Sequence, residues 1–153
     1  MAYDLYAIQK DIKSYLEDEL PQFVFVRNTV PEDEELPRAS GSEEVDPFFV
    51  LQFGPMMRRT RGGSIAGPRN DDYYSWMQVI AMGSVDDSIH DALSLVVDRL
   101  IGYKPGGGTH LIPDAGMSDF GSRQYSVRPV LYYATQRFEF GIAQNGMDGH
   151  LSA

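Results

Sequence analysis

Hydrophobic and polar positions repeat with two different periods along the chain, and the longer period predicts two helices. In Tyr3–Pro21, apolar residues recur at steps of three or four, which is the spacing of one helix face. They are Leu5, Ile8, Ile12, Leu16 and Leu20. The same spacing returns in Ser84–Gly102, with Ser84 as the predicted N-cap and Gly102 as the left-handed closing residue. Its stripe is Val85, Ile89, Leu93, Val96 and Leu100, widened by Ala92, Val97 and Ile101.

Four shorter apolar runs predict strands, because they are rich in aromatic and β-branched residues and too short for helices. They are Phe23–Thr29, Pro47–Gly54, Tyr73–Gly83 and Val130–Ala143. The third run alternates large side chains on both faces, so we expect it to be covered on both sides. The fourth run places unlike residues on one face, between Tyr132 and Phe140, which predicts a bulge or twist near Thr135.

The order of elements, α-β-β-β-α-β, predicts an α+β protein with a single mostly antiparallel sheet and two helices packed on it. No linker or repeat divides the chain, so residues 1–153 are predicted to form a single domain. Three connections are long, at about 27–47, 54–72 and 102–129, and the C-terminal tail 144–153 is predicted to be flexible. Loops of this length are usually either functional or disordered.

The first two long loops carry opposite charges, although the whole chain has a net charge of −9. The first is acidic, with Glu32, Asp33, Glu34, Glu35, Glu43 and Glu44. The second is basic, with Arg58, Arg59, Arg61 and Arg69. Such a pair of loops can join copies of the chain head to tail, and contacts of that kind close into rings. The alternatives are two solvated mobile loops, or arginines that bind a nucleic-acid phosphate locally.

No catalytic, cofactor-binding or metal-binding constellation emerges from the sequence. The chain has no cysteine, and His90, His110 and His150 are far apart without metal-ligand spacing. We expect His90 to be an exposed helical residue. The glycine-rich stretch Tyr103–His110 lacks the lysine and hydroxyl residue that follow the glycines of a phosphate loop, so it is interpreted as a flexible hinge. No run approaches the ~18 apolar residues of a membrane span. The expectation is a non-enzymatic, soluble intracellular protein.

The layout also resembles a known family. The segment "YYSWMQVIAMGSVDDSIHDALSLVVDRLIGYKP" runs strand–turn–helix, and "YYATQRFEFGIA" supplies a closing strand. Over about residues 3–143 the chain resembles the tail terminator, or tail completion, proteins of long-tailed, lambda-like bacteriophages. The resemblance implies a structural virion protein whose copies, six in number, form a ring on the tail tube. The ring ends tube polymerisation and joins the tail to the capsid neck.

The resemblance also implies the partners and the location. The partners are further copies of the chain, the tail tube protein and the neck or head-completion proteins, while DNA passes through the bore without specific binding. Neither a membrane nor a cofactor is involved, and the protein belongs to the virion tail after assembly in the host cytoplasm. In such a ring the four arginines are candidates for a subunit or tube contact. The six acidic residues are candidates for a bore lining, because negative charge lets DNA slide without sticking.

Other functions stay open at the level of sequence. One is another component of the same machine, such as a neck stopper or a tail tube subunit. A second is a ligand-binding α+β domain of a cellular pathway, which needs a pocket of clustered titratable groups. A third is a small nucleic-acid-binding module, whose binding to DNA would be salt-dependent.

Overall fold

Two α-helices and one six-stranded sheet make up the fold in the part of the chain that the structure describes. A computed structural model describes residues 5–27, 31–38, 43–58, 73–114 and 131–142. The helices are α1 (Leu5–Glu19) and α2 (Asp86–Leu100), and a short 3-10 helix covers Asp33–Glu35. The strands are β1 (Val24–Val26), β2 (Phe48–Phe53), β3 (Met57–Arg58), β4 (Tyr73–Gly83), β5 (Ile112–Asp114) and β6 (Tyr132–Gly141). The predicted α+β class is confirmed, and β3 and β5 are additions to the predicted order.

The sheet is open and mixed, with strand order β1-β2-β4-β6-β5 and β3 beside the start of β4. Only β1 and β2 run parallel, and the other pairs are antiparallel. The prediction near Thr135 was a bulge or a twist. β4 and β6 keep one continuous register from Tyr74↔Gly141 to Gly83↔Tyr132, which excludes the bulge. The mixed face needs no bulge, because Tyr132 stays exposed at the strand end and Gln136 donates to the backbone carbonyl oxygen of Arg137.

Both faces of β4 are covered, as predicted. On one face, here called the helix face, Met77 and Val79 pack against α1 and α2. The helices contribute Ile8, Ile12, Leu16, Ile89, Val96 and Leu100 to this core. On the opposite face, here called the second face, Ile80 and Met82 pack in a smaller core with Leu36, Val45, Phe48 and Val50. Leu36 and Val45, from the described parts of the first long loop, help to cover this smaller core.

The predicted ends of α2 need correction. Its first helical residue is Asp86, and Val85 occupies the N-cap position without a side-chain cap. The Ser84 hydroxyl instead accepts a hydrogen bond from the N–H of Val45 at 2.9 Å, so it joins two loops. Val85 and Ile101 lie at the caps and are exposed, so neither belongs to the buried stripe. Gly102 has φ 79°, which confirms the predicted left-handed position.

The long loops are more ordered than predicted wherever the structure describes them. The first contains the 3-10 helix and an isolated bridge between Arg38 and Val45. The second begins with β3, and the third contains β5 and a bridge between Gly108 and Ile142. The remainder of the second and third loops, residues 59–72 and 115–130, lies outside the described residues, as does the predicted flexible tail.

Candidate interaction surfaces

The basic segment is represented by one arginine in the described part of the chain. Arg58 ends β3, where it pairs with Tyr73 at the start of β4, and its side chain is exposed. Its guanidinium carbon lies 5.8 Å from the centroid of the Tyr73 ring, within range of a cation–π contact. The other predicted contact residues, Arg59, Arg61 and Arg69, lie outside the described residues.

The acidic segment divides into a braced part and an exposed part. The guanidinium of Arg27 grips the carboxylate of Glu35 with two hydrogen bonds, Nη2–Oε1 at 2.6 Å and Nη1–Oε2. The N–H of Glu32 donates to the same carboxylate at 2.9 Å. These bonds lower the pKa of Glu35, with the hydrogen bond from Arg27 as the largest cause, and they raise the pKa of Arg27. Glu35 therefore serves as an internal brace.

The other described acidic side chains face solvent. Glu32, Glu34, Glu43 and Glu44 are exposed, and the side chain of Asp33 lies outside the described part. Buried Leu36 and Val45 hold this segment on the second face of the sheet. The N–H of Asp46 also donates to the carbonyl oxygen of Pro37 at 2.9 Å. The acidic segment is thus a fixed surface in its described part.

A groove beside the edge strand β1 is a surface that the sequence did not reveal. Its volume is about 450 Å³. The outer face of α1 and one residue of β1 line it: Tyr6, Gln9, Lys10, Lys13, Glu17 and Val26. Tyr6 is 66% exposed and Val26 is 39% exposed, and Phe23 just before β1 is 61% exposed. A short strand signal at Phe23–Thr29 could not show that β1 lies at the edge of the sheet.

A row of polar side chains crosses four strands on the second face. Gln52, Gln78, Arg137 and Asp114 occupy successive register positions on β2, β4, β6 and β5. Gln78 is 1% exposed and its amide nitrogen lies 3.5 Å from the amide oxygen of Gln52. Arg137 forms an ion pair with Asp114 at 3.3 Å and places its guanidinium carbon 4.7 Å from the centroid of the Trp76 ring. Cross-strand register creates this row, so no local sequence pattern indicates it.

The glycine-rich stretch Tyr103–His110, which was predicted to be a flexible hinge, is held against α1 by hydrogen bonds. The carboxylate of Asp11 accepts the N–H of Gly106 at 2.6 Å and the Tyr103 hydroxyl at 3.1 Å. The Tyr103 ring stacks on Tyr15, with centroids 3.8 Å apart. Partial burial, followed by the bond to Asp11, raises the pKa of Tyr103 to about 12. Because Asp11 already occupies the Gly106 N–H, the loop does not present that group to a phosphate.

The two described histidines lie at separate places, His90 on α2 and His110 in the loop before β5. His90 is exposed on α2, as predicted, and His110 is exposed with Nδ1 2.7 Å from the carbonyl oxygen of Gly102. His150 lies outside the described residues. Within the described ranges, no group of three histidine, cysteine or acidic residues is placed to hold a metal ion. None of the described helices is long and apolar enough to cross a membrane.

Comparison with known proteins assigns no family to the chain, so its function is argued from the fold and from these surfaces. No protein-family model matches the chain, and no curated protein sequence matches it significantly.

Proposed function

We propose that this protein is a structural component of a phage tail, in which copies of the chain form a ring that caps the tail tube. The ring ends tube polymerisation and presents a surface to the neck proteins of the capsid, while DNA passes through its bore. The α+β class and the order of the main elements are those that the resemblance to tail terminator proteins implies.

The observation that carries the proposal is the separation of opposite charges along β4. Arg58 pairs with Tyr73 at one end of this eleven-residue strand. At the other end, Ser84 bonds to Val45, the residue that follows exposed Glu43 and Glu44. At ~3.3 Å per residue, the two ends lie roughly 33 Å apart. Opposite charges at opposite ends of a rigid strand favour head-to-tail contacts between copies, and such contacts close into a ring when the rotation suits.

The structure reduces the set of acidic residues that we propose for the bore lining. Glu35 is occupied by Arg27 and by the N–H of Glu32, so it is removed from the candidate bore lining. Glu32, Glu34, Glu43 and Glu44 remain, because they are exposed on a segment anchored by buried apolar residues. A fixed acidic wall repels phosphate, which suits a conduit for DNA.

Loss of the arginines tests the proposed contact. Replacing Arg58, Arg59, Arg61 and Arg69 by serine is expected to abolish ring formation on tail tubes in negative-stain images, and to prevent joining of tails to capsids. A control with Arg99→Ser and Lys104→Ser removes positive charge elsewhere and should still form rings. Rings and tail joining that persist in the four-arginine variant would overturn the assigned contact.

A second pair of variants tests whether the contact is head to tail. The Glu43→Lys/Glu44→Lys variant loses the acidic end and keeps the basic end. Mixed with the four-arginine variant, it retains one complementary contact per pair, so the two variants should bind each other without forming rings. A wild-type chain that stays monomeric when tail tubes are added would count against the whole proposed function.

A further inference from the structure

β1 is an edge strand whose outward backbone groups have no partner among the described residues. The carbonyl oxygen of Phe23 accepts the N–H of Phe49 at 2.9 Å, and the N–H of Arg27 donates to the carbonyl oxygen of Leu51 at 3.1 Å. The backbone N–H and C=O groups of successive residues point to opposite sides of a strand. Those of Phe23, Phe25 and Arg27 therefore point towards β2. The N–H and C=O groups of Val24 and Val26 therefore point away from the sheet. The described sheet ends at this strand.

The opposite edge of the sheet is not equivalent. β5 pairs with β6 through Ile112↔Glu139, Pro113↔Phe138 and Asp114↔Arg137. Proline has no N–H, so the pairing must use the groups of Ile112 and Asp114, and Pro113 faces outward. The outer edge of β5 thus offers a carbonyl and no donor at its centre. Pairing of β1 with β5 of another copy would leave outward donors and acceptors mismatched.

We infer that β1 is the contact through which two copies of this chain form a two-fold dimer, by antiparallel pairing of β1 with the same strand of the second copy. A pairing centred on Phe25 sets Val24 of each copy opposite Val26 of the other. Each such pair exchanges two backbone hydrogen bonds in an antiparallel ladder, so the four outward N–H and C=O groups of each strand are all satisfied. The strand is complementary to itself without any change of register.

The same alignment covers the exposed apolar side chains around β1. Phe23 and Arg27 of opposite copies face each other across the two-fold axis, on the second face of the extended sheet. Arg27 already packs over Phe25, with its guanidinium carbon 5.4 Å from the ring centroid, and Glu35 holds it there. It is therefore positioned to cover Phe23 of the other copy, which is 61% exposed in the single chain. On the helix face, the side chain of Val26 packs beside the side chain of Val24 of the other copy.

The charges on α1 favour the same antiparallel arrangement. A two-fold axis perpendicular to the sheet keeps both α1 helices on one side and sets them antiparallel. The groove face of α1 carries Lys10 and Lys13 near its middle and Glu17 towards its end. Antiparallel helices bring the basic part of each towards the acidic part of the other, whereas parallel helices would align like charges. An isologous contact of this kind closes with two copies.

The inferred dimer is independent of the proposed tail function, because a two-fold contact at β1 does not build a head-to-tail ring. It describes the protein in solution and can be tested without any phage component. Sedimentation equilibrium should give a mass of twice the 17.1 kDa of one chain. Val26→Lys should weaken dimerisation by about tenfold or more, because it sets a charge beside the centre of the contact, opposite Val24 of the other copy. Ile101→Lys, at another exposed aliphatic side chain, should leave the dimer intact.

Charge exchange tests the pairing of the two α1 helices. Lys13→Glu and Glu17→Lys should each weaken the dimer, and the double variant should restore it, since it regains an opposite-charge pair wherever residue 13 of one copy meets residue 17 of the other. A monomeric wild type, a mass that Val26→Lys leaves unchanged, or a double variant as weak as the singles would each overturn the inference. A wild-type monomer whose Val26 amide becomes protected from exchange only with tail or neck protein would also overturn it, and would assign the edge to that partner.

Discussion

The carboxylate of Asp11 holds the hydroxyl of Tyr103 at 3.1 Å, joining residues that are 92 positions apart in the chain. Asp11 lies on α1, and Tyr103 follows the left-handed Gly102 that ends α2. The contact fixes the glycine-rich loop against the first helix. It also gives the fold a sensitivity to alkaline pH.

The contribution of Tyr103 to the stability of the fold should be lost at alkaline pH. Its pKa is about 12 in the folded chain, against an ordinary value of 10.0. Between these values the unfolded chain releases the proton and the folded chain keeps it, so the stabilising contribution is complete below pH 10 and is lost as pH rises towards 12. Tyr103→Phe should reduce this loss in melting temperature, measured by circular dichroism. Tyr133→Phe, at an exposed tyrosine, should keep the wild-type profile.

Glu35 should contribute stability in the opposite pH direction. Its pKa is lowered by the hydrogen bond from Arg27, then by the N–H of Glu32, so its contribution is present above the ordinary carboxylate range and is lost as pH falls through the folded value. Glu35→Gln should therefore be less stable than wild type at neutral pH, and the difference in urea midpoint should shrink in acid. Glu34→Gln is the control, and an equal effect there would contradict the assignment of the brace.

Gly54 should not tolerate a side chain, because a Cβ atom there would overlap the indole ring of Trp76. Gly54→Ala should destabilise the protein by about 1–3 kcal/mol, the usual cost of overpacking. Trp76 is the only tryptophan, so its fluorescence should shift in the same variant. The matched control is Gly106→Ala, where the added atom meets only an ordinary contact at 3.7 Å with Asp11. Unchanged fluorescence in Gly54→Ala would contradict the packing.

The hydroxyl of Ser84 should stabilise the loop that contains Val45 and not the first turn of α2. Its hydroxyl accepts the Val45 N–H at 2.9 Å, and removing it from a buried donor costs about 1–3 kcal/mol. Ser84→Ala should speed amide exchange at Val45 while leaving the first turn of α2 unchanged. Ser88→Ala, which loses an exposed bond to the carbonyl oxygen of Val85, is the control. Faster exchange confined to α2 would support a helix cap instead.

The parts of the fold that sequence predicted well are the longest segments with a regular period. α2 and β4 each carry enough repeated positions for the period to define both type and buried face, and β4 was placed to the residue. The ends were less certain. Serine is a usual N-cap residue, but the Ser84 hydroxyl accepts a hydrogen bond from Val45, 39 positions earlier in the chain. That competition is tertiary and leaves no local signal.

The candidate surfaces were predictable only in their charge. The acidic cluster is visible in the sequence, but the ion pair that engages Glu35 depends on Arg27, eight positions earlier. The row from Gln52 to Asp114 depends on the register of four strands, and the groove at Val26 depends on which strand ends the sheet. These relationships arise from pairing between distant segments, so composition and periodicity could not reveal them.

The position of β6 has a consequence for biosynthesis. This strand follows every other described element in the chain, yet it lies between β4 and β5 and contributes Phe138 and Phe140 to the helix-face core. A nascent chain that has emerged only as far as α2 has an unpaired edge on β4, its longest strand. The sheet therefore closes after synthesis has passed residue 141, and a chain stalled earlier exposes aggregation-prone surface to the ribosome's surroundings.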